Sequence, residues 1–529
     1  MKKIKVYALL VYLLATSAAQ AQSFGSAAMR KLQMAEFAIS NFYVDKVDED
    51  KLVEEAIIKM LAQLDPHSTY SDAEEVKKMN EPLQGNFEGI GVQFQMIEDT
   101  LLVVQPVSNG PSEKIGILAG DRIIAVNDSA IAGVKMSTEE IMKRLRGPKG
   151  SKVNLKIVRR GVQDPLVFTV KRDKIPILSL DASYMIQPKT GYIRINRFGA
   201  TTAEEFKKAM KELQKQGMKD MILDLQGNGG GYLNAAIDLA NEFLSQKELI
   251  VYTEGRTAKR SDFYAKGNGE FRNGRLIVLV DEYTASASEI VSGAVQDWDR
   301  GIIVGRRSFG KGLVQRPIDL PDGSMIRLTI ARYYTPAGRC IQKPYDSSTD
   351  YNKDLIERFN HGELMNADSI HFPDSLKVQT KKLGRTVYGG GGIMPDYFVP
   401  IDTTLYTDYH RNLVAKGAVI KFTMKFIEGH RKELANKYKK FESFNEKFII
   451  DDDMLATLRE MGEKEGVKFN EEQYQKSLPL IKTQLKALIA RDLWDMNEYF
   501  RVMNTTNESV QKALEILNSE EYQKKLRAN

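Results

Sequence analysis

The chain has 529 residues, of which 42% are hydrophobic, enough for roughly two to four domains with apolar cores. Its formal net charge is +6, and no long basic run is present, which disfavours a nucleic-acid-binding protein. The single cysteine, Cys340, excludes an internal disulfide.

The first residues have the pattern of a secretory signal peptide. A positively charged start precedes a short apolar run over residues 6–15, and Ala19-Gln20-Ala21 fits a small-residue cleavage site. The apolar run is too short to span a bilayer. We therefore predict a cleaved signal peptide over residues 1–21 and a mature protein in the periplasm or cell envelope.

Residues 22–83 are predicted to form a helical region, because apolar residues such as Val53, Ile57 and Met60 recur at helical spacing. The turn that follows this stripe contains His67. A catalytic role for this histidine is one interpretation, and a capping or packing role is the one that we favour.

From residue 84 to 172 short strands predominate. Gly89-Ile90-Gly91 precedes an alternating run that starts at Val92, and further strands surround an amphipathic helix over residues 137–146. This β-rich α+β pattern resembles a PDZ domain. The N–H groups of the glycine loop suit a terminal carboxylate, and the strand from Val92 can add a peptide by β-augmentation. The alternative is a glycine hairpin that binds no ligand.

Residues 173–401 alternate between strands and helices. The apolar strand over 220–225 ends in a glycine-rich turn that includes Gly229, Gly230 and Gly231, and a helix follows. The N–H groups of such a turn can cradle an anion or a developing oxyanion. The G-x-G-x-x-G spacing of dinucleotide-binding proteins is absent from this turn, which disfavours a dinucleotide site.

Ser286 is predicted to lie at a strand-to-helix turn. The apolar run over 275–280 predicts a buried strand, and apolar residues after Ala285 recur at helical spacing. A hydroxyl at this position lies beside the free N–H groups of the first helical turn, which can stabilise an oxyanion. The alternative is that the serine only caps the helix.

A serine nucleophile needs a base, and none of the five histidines is close to Ser286 in sequence. Lys311, flanked by Gly310 and Gly312, is the candidate. To be neutral near pH 7–8, its pKa must lie roughly 2–3 pH units below the usual ~10.4, and burial must supply that decrease. The alternative is a solvated loop lysine.

The same segment partly fits a phosphate-binding loop, since Gly305 to Lys311 matches G-x-x-x-x-G-K. Position 312 is glycine where the magnesium-binding hydroxyl is required. The residues that follow predict a strand stopped by Pro317 in place of the required helix. The sequence therefore disfavours a nucleotide site.

Taken together, the segments 286–290, 293–297 and 309–315 resemble the C-terminal processing peptidases (tail-specific proteases), which are serine peptidases with a Ser/Lys dyad. The separation of Ser286 and Lys311, 311 − 286 = 25 residues, matches the spacing in that family. The resemblance implies no metal or other cofactor.

The resemblance also implies the roles of individual residues. Ser286 is the expected nucleophile, Lys311 the general base and Gln315 the residue that orients the lysine. The expected oxyanion hole combines Ala287 with Gly229 or Gly230, and the sequence leaves that choice open. Glu289 matches a family glutamate and is a supporting candidate, although a favourable charge in the first helical turn is its plainer role.

The implied fold class is multidomain α/β. The predicted parts are a helical N-terminal region (22–83), a PDZ domain (84–172), a crotonase- or Clp-protease-like α/β peptidase core (173–401) and a helical C-terminal region (402–529). Within the core, residues 346–384 are predicted to be an insertion or mobile loop. The C-terminal region is interpreted as a lid, a dimerisation arm or a docking surface. Besides peptide substrates, the predicted partner is a second copy in a homo-oligomer or an envelope adaptor protein.

The sequence thus predicts an exported serine endopeptidase that binds free C-terminal tails of proteins and cuts peptide bonds near them. A catalytically inactive PDZ scaffold is the main alternative, and the intact Ser286, Lys311 and Gln315 argue against it. A crotonase-type acyl-CoA enzyme is the second alternative, and the export signal and PDZ pattern argue against it.

Overall fold

The computed structural model describes residues 26–345, 351 and 353–527, so the predicted signal peptide lies outside the described residues. The chain divides into two compact units. The smaller unit comprises the residues up to Glu74 together with Gln315–Thr329, and the larger unit comprises Glu75–Val314 and the chain from Ile330 onward. Within the described part of the chain, no helix has the length and apolar character needed to cross a membrane.

The smaller unit contains helices α1 (Ala27–Phe42) and α2 (Glu49–Leu61) and strand β1 (Thr69–Ser71). Strand β1 pairs antiparallel with residues 325–327. In the turn after α2, the Asp65 carboxylate accepts hydrogen bonds from the backbone N–H groups of His67 (2.8 Å) and Ser68 (2.9 Å). The Asp65 carboxylate therefore caps this turn.

A β-rich part follows along the chain, and its elements are α3 (Ala73–Gln84), β2 (Asn86–Gly89), β3 (Val92–Ile97), β4 (Thr100–Pro106), α4 (Pro111–Lys114), β5 (Arg122–Val126), β6 (Ser129–Ala130), α5 (Thr138–Leu145), β7 (Lys152–Val158), β8 (Leu166–Lys171) and β9 (Asp173–Pro176). Strands β3-β4-β5-β7-β8 form an antiparallel sheet, with β6 beside β5. Strand β7 alternates buried and exposed residues, as expected for a sheet with one face on a core. Strands β2 and β9 pair with each other at the two ends of this part.

The central α/β part contains β10 (Leu180–Gln187), β11 (Thr190–Ile195), α6 (Thr202–Lys215), β12 (Asp220–Asp224), α7 (Leu233–Asn241), β13 (Leu249–Glu254), β14 (Ser261–Tyr264), β15 (Leu276–Val280), α8 (Ala287–Asp297) and β16 (Ile302–Gly305). Its main sheet has the order β10-β11-β12-β15-β16 and continues to a short strand near residue 397. The strands from β11 to β16 are parallel. Strands β12 and β15 are buried along their whole length, which explains their continuous apolar character.

Strand β17 (Leu313–Asp319) leads into the long strand β18 (Met325–Tyr334). The prediction that Pro317 ends the first of these strands is wrong, because β17 continues through the proline. Among the strands that the structure describes, β17 pairs with β18 alone, so it is an edge strand that tolerates a residue without an N–H donor. At its other end, β18 pairs with β13, with Tyr334 opposite Tyr252.

The segment predicted as an insertion or mobile loop has regular structure in its described residues. It contains α9 (Asp354–Asn360) and two 3₁₀ turns, followed by the antiparallel strands β19 (Lys377–Gln379) and β20 (Thr386–Tyr388). The chain then returns to the main sheet through β21 (Tyr397–Phe398), which pairs in parallel with β16. Its contacts are with distant residues, such as those of Arg358 with the Arg307 and Ser308 carbonyl groups, and local periodicity carries no sign of them. That this segment is an insertion stays a prediction.

The C-terminal region is helical, as predicted, and its helices are α10 (Asp408–Ala415), α11 (Ala418–Lys437), α12 (Phe441–Lys447), α13 (Asp452–Lys464), α14 (Glu471–Leu493), α15 (Met496–Met503), α16 (Glu508–Asn518) and α17 (Glu521–Lys525). Helices α10 to α15 share one apolar core. Helix α16 and Tyr522 of α17 instead pack on the main sheet, against residues such as Ile222 and Ile277. The opposite face of that sheet is covered by α6, α7 and α8, so the C-terminus completes a three-layer core. The predicted α/β multidomain fold class is confirmed.

Candidate active site

Ser286 lies in the turn between β15 and α8, immediately before the helix, and is partly exposed. Its backbone has φ 57° and ψ −114°. A positive φ is uncommon for a residue with a side chain, and such strain is concentrated at functional sites. The turn therefore presents this one hydroxyl at the end of a buried sheet.

The serine turn is joined to the glycine-rich turn after β12 by buried polar contacts. The Asn228 carbonyl accepts hydrogen bonds from the Ala285 N–H (3.0 Å) and from the Ser288 hydroxyl (3.0 Å). Asp281 accepts a hydrogen bond from the Gly227 N–H at 2.9 Å. These contacts fix the two turns relative to each other.

Glu289 links the serine to the loop that carries Lys311. Its Oε2 accepts hydrogen bonds from the backbone N–H groups of both Ser286 (2.7 Å) and Lys311 (2.9 Å). Its Oε1 accepts from the Gly310 N–H (2.8 Å) and the Ser308 hydroxyl (2.5 Å). The side chain is fully buried, and this desolvation raises its pKa to about 7, against the hydrogen bonds, which favour the charged form.

Tyr333 contacts the backbone carbonyl groups of the same two residues, Ser286 and Lys311. Its hydroxyl lies 3.1 Å from the Ser286 carbonyl oxygen and also within hydrogen-bond distance of the Lys311 carbonyl oxygen. The tyrosine is buried, and desolvation raises the pKa of its phenol well above the usual value, so it stays a donor. Glu289 and Tyr333 thus hold the backbones of Ser286 and Lys311 side by side.

The glycine candidates for the oxyanion hole differ in their surroundings. A Cβ placed on Gly230 would lie 2.8 Å from the Ser286 Cβ and 3.0 Å from the Ala287 nitrogen, whereas one on Gly229 would meet nothing within 4 Å. The structure therefore brings Gly230, Ser286 and Ala287 together. The Gly230 N–H donates to the Asn228 side-chain oxygen at 2.9 Å.

Gln315 belongs to the smaller unit. There its side-chain amide donates a hydrogen bond to the His67 carbonyl oxygen. The predicted orienting role of Gln315 thus stays a prediction.

The predicted peptide-binding loop lies between β2 and β3. Ile90 is buried, and its carbonyl accepts hydrogen bonds from the Ser112 hydroxyl (2.6 Å) and the Ser112 N–H (3.1 Å). Gly91 has φ +73°, a conformation that side chains rarely adopt. Val92 begins β3, which is an edge strand of its sheet. The loop and the open strand edge have the arrangement that strand addition requires.

Comparison with known proteins gives the following matches. The sequence model of peptidase family S41 matches residues 189–349, and that of the PDZ domain matches residues 89–174. The N-terminal domain of the activating protease CtpB matches residues 12–75, and a family of unknown function matches residues 409–495. Carboxy-terminal processing protease CtpB of Bacillus subtilis is 37% identical over 328 residues, which are 61% of this chain and 68% of that protein.

The chain belongs to the carboxy-terminal processing proteases of peptidase family S41. It is a serine-type endopeptidase with a PDZ domain that binds peptides. The carboxy-terminal-processing protease of Bartonella bacilliformis is 40% identical over 307 residues, 57% of this chain and 69% of that protein. A solved structure described as photosystem II D1 C-terminal processing protease is 30% identical and covers 60% of this chain and 91% of that chain, with a TM-score of 0.34. The predicted family and enzyme class are confirmed.

Sequence reasoning missed three residues around this protease site, which are Tyr333, Ser308 and Asn228. Tyr333 had a detectable signal, because alternation along β18 places Ala331 and Tyr333 on the buried face. A buried tyrosine hydroxyl needs a hydrogen-bond partner. Its partners on two other segments were not predictable from local pattern.

Proposed function

We propose that Ser286 and Lys311 form the catalytic dyad of an exported endopeptidase that cuts proteins near their free C-termini. The observation that carries this proposal is the single Glu289 oxygen that accepts hydrogen bonds from the N–H groups of both residues. Two chain segments held by one atom cannot drift apart without breaking a buried hydrogen bond. This fixed spacing suits a proton transfer between their side chains.

In the proposed reaction, the neutral Lys311 amine takes the proton of the Ser286 hydroxyl as Oγ attacks the scissile carbonyl carbon. The resulting ammonium then donates a proton to the leaving amine nitrogen when the peptide C–N bond breaks. A water molecule then attacks the acyl-enzyme ester carbon while the same amine takes its proton. The ammonium gives this proton to Ser286 Oγ as the ester C–O bond breaks, which releases the carboxyl product and the free serine. The lysine thus begins and ends the cycle as the neutral amine.

The oxyanion is proposed to bind the N–H groups of Ala287 and Gly230, which lie beside the nucleophile. The Gly230 N–H donates to the neutral Asn228 amide oxygen. A negatively charged oxygen is a stronger acceptor than a neutral amide, so the intermediate can compete for this donor. Gln315 is proposed to orient the lysine.

The PDZ domain is proposed to select the substrate by its free terminal carboxylate. The Gly89-Ile90-Gly91 loop supplies N–H donors, and the charge-assisted bonds to a carboxylate are about twice as strong as neutral ones. The edge strand β3 pairs with any peptide backbone and adds affinity with little sequence choice. Small or apolar last residues are the expected preference.

Export to the periplasm or cell envelope is proposed from the signal-peptide pattern of residues 1–21. N-terminal sequencing of the protein purified from an envelope fraction should begin at residue 22, and an intact Met1 would contradict export by cleavage. A second copy or an envelope adaptor is the proposed partner. Exposed apolar side chains of α1, including Phe37 and Phe42, offer such a surface, and light scattering on the mature protein distinguishes the two.

The dyad is tested with Ser286→Ala, Lys311→Ala and Lys311→Arg, assayed by mass-mapping the products from an unstructured peptide. All three variants should lose cleavage while their circular dichroism stays unchanged, because arginine cannot act as a neutral base. Cleavage above background in both alanine variants would reject the assignment.

Tail recognition is tested separately with one peptide as the free acid and as its C-terminal amide. The amide lacks the terminal charge, so its kcat/KM should fall by about tenfold or more, equivalent to the loss of one charge-assisted hydrogen bond. Equal kcat/KM for the two peptides would refute tail recognition even with the dyad confirmed.

A further inference from the structure

The segment from Lys353 to Glu363 packs on the loop that carries Lys311. Arg358 of α9 is only 3% exposed. One of its terminal nitrogens donates to the Arg307 carbonyl at 2.7 Å, and the other donates to the Ser308 carbonyl at 3.2 Å. The planar guanidinium is pre-shaped for such paired donation. The side chain therefore closes the carbonyl edge of the loop just before Lys311.

Two further contacts anchor this segment. The Glu363 carboxylate accepts a hydrogen bond from Arg307 Nε at 3.1 Å and lies 3.3 Å from Arg358 Nε. At the start of α9, Asp354 pairs with the Lys343 ammonium at 2.8 Å. The backbone N–H of Lys343 in turn donates to the Gly310 carbonyl at 2.9 Å. Both ends of the segment are thus attached to the same loop.

The loop is consequently held along both of its edges. Its N–H groups bond to fixed acceptors, with Phe309 N–H donating to the Thr284 carbonyl (2.9 Å) and Gly310 and Lys311 donating to Glu289. Its carbonyl groups bond to Arg358 and Lys343. Removing the hydrogen-bond partners along either edge leaves the loop held along the other edge alone, with greater conformational freedom.

We propose that Arg358 is a positioning residue for Lys311, and that residues 353–363 form a clamp on the loop that presents this base. The inference rests on the proposed role of Lys311. Arg358 acts through the backbone of Arg307 and Ser308 and does not itself take part in the reaction. A displacement of a reacting group by about 1 Å is enough to reduce a rate on the order of 100-fold.

The clamp is tested in the full-length protein with Arg358→Met, Arg358→Lys and the control Glu357→Gln, an exposed position on the same helix. Arg358→Met should lower kcat by about tenfold or more and leave KM within about twofold, since the substrate contacts are unchanged. The kcat of Arg358→Lys should lie between those of wild type and Arg358→Met, because a lysine ammonium keeps the positive charge but lacks the paired nitrogen donors of the guanidinium. Glu357→Gln should match wild type.

The effect on kcat and its partial rescue by lysine separate positioning from a general loss of structure. A displaced Lys311 lowers kcat in protein whose circular dichroism matches wild type, and Arg358→Lys recovers part of that loss. Wild-type kcat in a folded Arg358→Met would overturn the clamp, as would a change in KM alone. If Arg358→Met fails to fold, wild-type kinetics in Arg358→Lys overturn it.

Lys311→Ala, measured in parallel, distinguishes the two levels of inference. Activity retained in Lys311→Ala refutes the proposed dyad. An inactive Lys311→Ala together with an unaffected Arg358→Met refutes only the clamp.

Discussion

A single substitution at Glu289 tests whether its carboxylate holds the backbones of Ser286 and Lys311 in place. Four donors converge on its buried carboxylate, including the N–H groups of Ser286 and Lys311. In Glu289→Gln, the amide –NH₂ faces part of this donor set and leaves buried N–H groups without an acceptor, at about 1–3 kcal/mol for each. We expect kcat to fall on the order of 100-fold, with a lower midpoint of urea unfolding. Wild-type kcat with an unchanged midpoint would contradict this.

The raised pKa of Glu289, about 7 in the fold against an ordinary 4.5, makes stability depend on pH. Between these two values the folded protein holds a proton that the unfolded chain has lost. The stability that this proton contributes is therefore complete below pH 4.5 and is lost as pH rises through 7, an effect of about 3 kcal/mol. Urea unfolding of wild type and Glu289→Gln from pH 4.5 to 8 measures it, and an equal slope in both proteins would exclude Glu289 as the cause.

Tyr333 offers a test in which only one oxygen is removed. In Tyr333→Phe the Ser286 carbonyl keeps its helical donors, the N–H groups of Glu289 (2.9 Å) and Ile290 (3.1 Å), whereas the Lys311 carbonyl loses its tyrosine partner. We expect about 1 kcal/mol of destabilisation and a severalfold lower kcat with little change in KM. The matched control is Tyr334→Phe, which keeps the ring stacked on Tyr252 at 4.8 Å. Equal kinetics in the two variants would remove Tyr333 from the site.

At the scale of an element, the glycine-rich turn after β12 separates into tolerant and intolerant positions. Gly230 has φ +100° and no room for a Cβ beside Ser286, so Gly230→Ala should abolish cleavage. Gly229 has open space around it and no positive φ. Gly229→Ala should therefore keep at least about half of the wild-type kcat/KM. A surface substitution that causes no clash and no backbone strain changes the folding free energy by no more than about 0.5 kcal/mol. Peptide-cleavage kinetics of the pair test the turn, and an active Gly230→Ala would refute the tight approach.

At the scale of the whole molecule, the last helices are part of the protease core. Ile516 of α16 is fully buried on the main sheet, whereas Ile449 between α12 and α13 is 72% exposed. Ile516→Ala should cost about 2–5 kcal/mol of unfolding free energy. Ile449→Ala should stay within about 0.5 kcal/mol. Urea unfolding compares them, and equal midpoints would show that α16 is dispensable to the core.

Long-range contacts within the larger unit connect its β-rich part to the C-terminal helices. Arg122 of β5 pairs with Glu428 of α11 at 3.1 Å, and Arg160 donates to the Glu428 carbonyl at 2.9 Å. These residues are about 270 to 310 positions apart along the chain. The sequence pattern does not reveal pairs at such a separation, because each of these charged residues by itself is typical of a solvent-exposed surface position.

The sequence by itself determined the family, the fold class and the strand–turn–helix around Ser286. These properties depend on local chemistry, since apolar runs set the strands and glycines mark the turns that need positive φ. It also placed Lys311 on a loop after β16. In each case the deciding residues are neighbours in the chain.

Only the tertiary structure decided which groups hold those residues in place. The contact of Glu289 with Lys311 and the contacts of Tyr333 and Arg358 are with backbone atoms 22 to 51 residues away. The sheet makes the first of these contacts possible because it brings the carboxyl ends of β15 and β16 together. The tertiary structure likewise placed α9 against the loop that carries Lys311 and α16 on the main sheet. The physical reason is that burial and hydrogen-bond partners are properties of the folded arrangement, whereas the sequence pattern records only what each segment prefers alone.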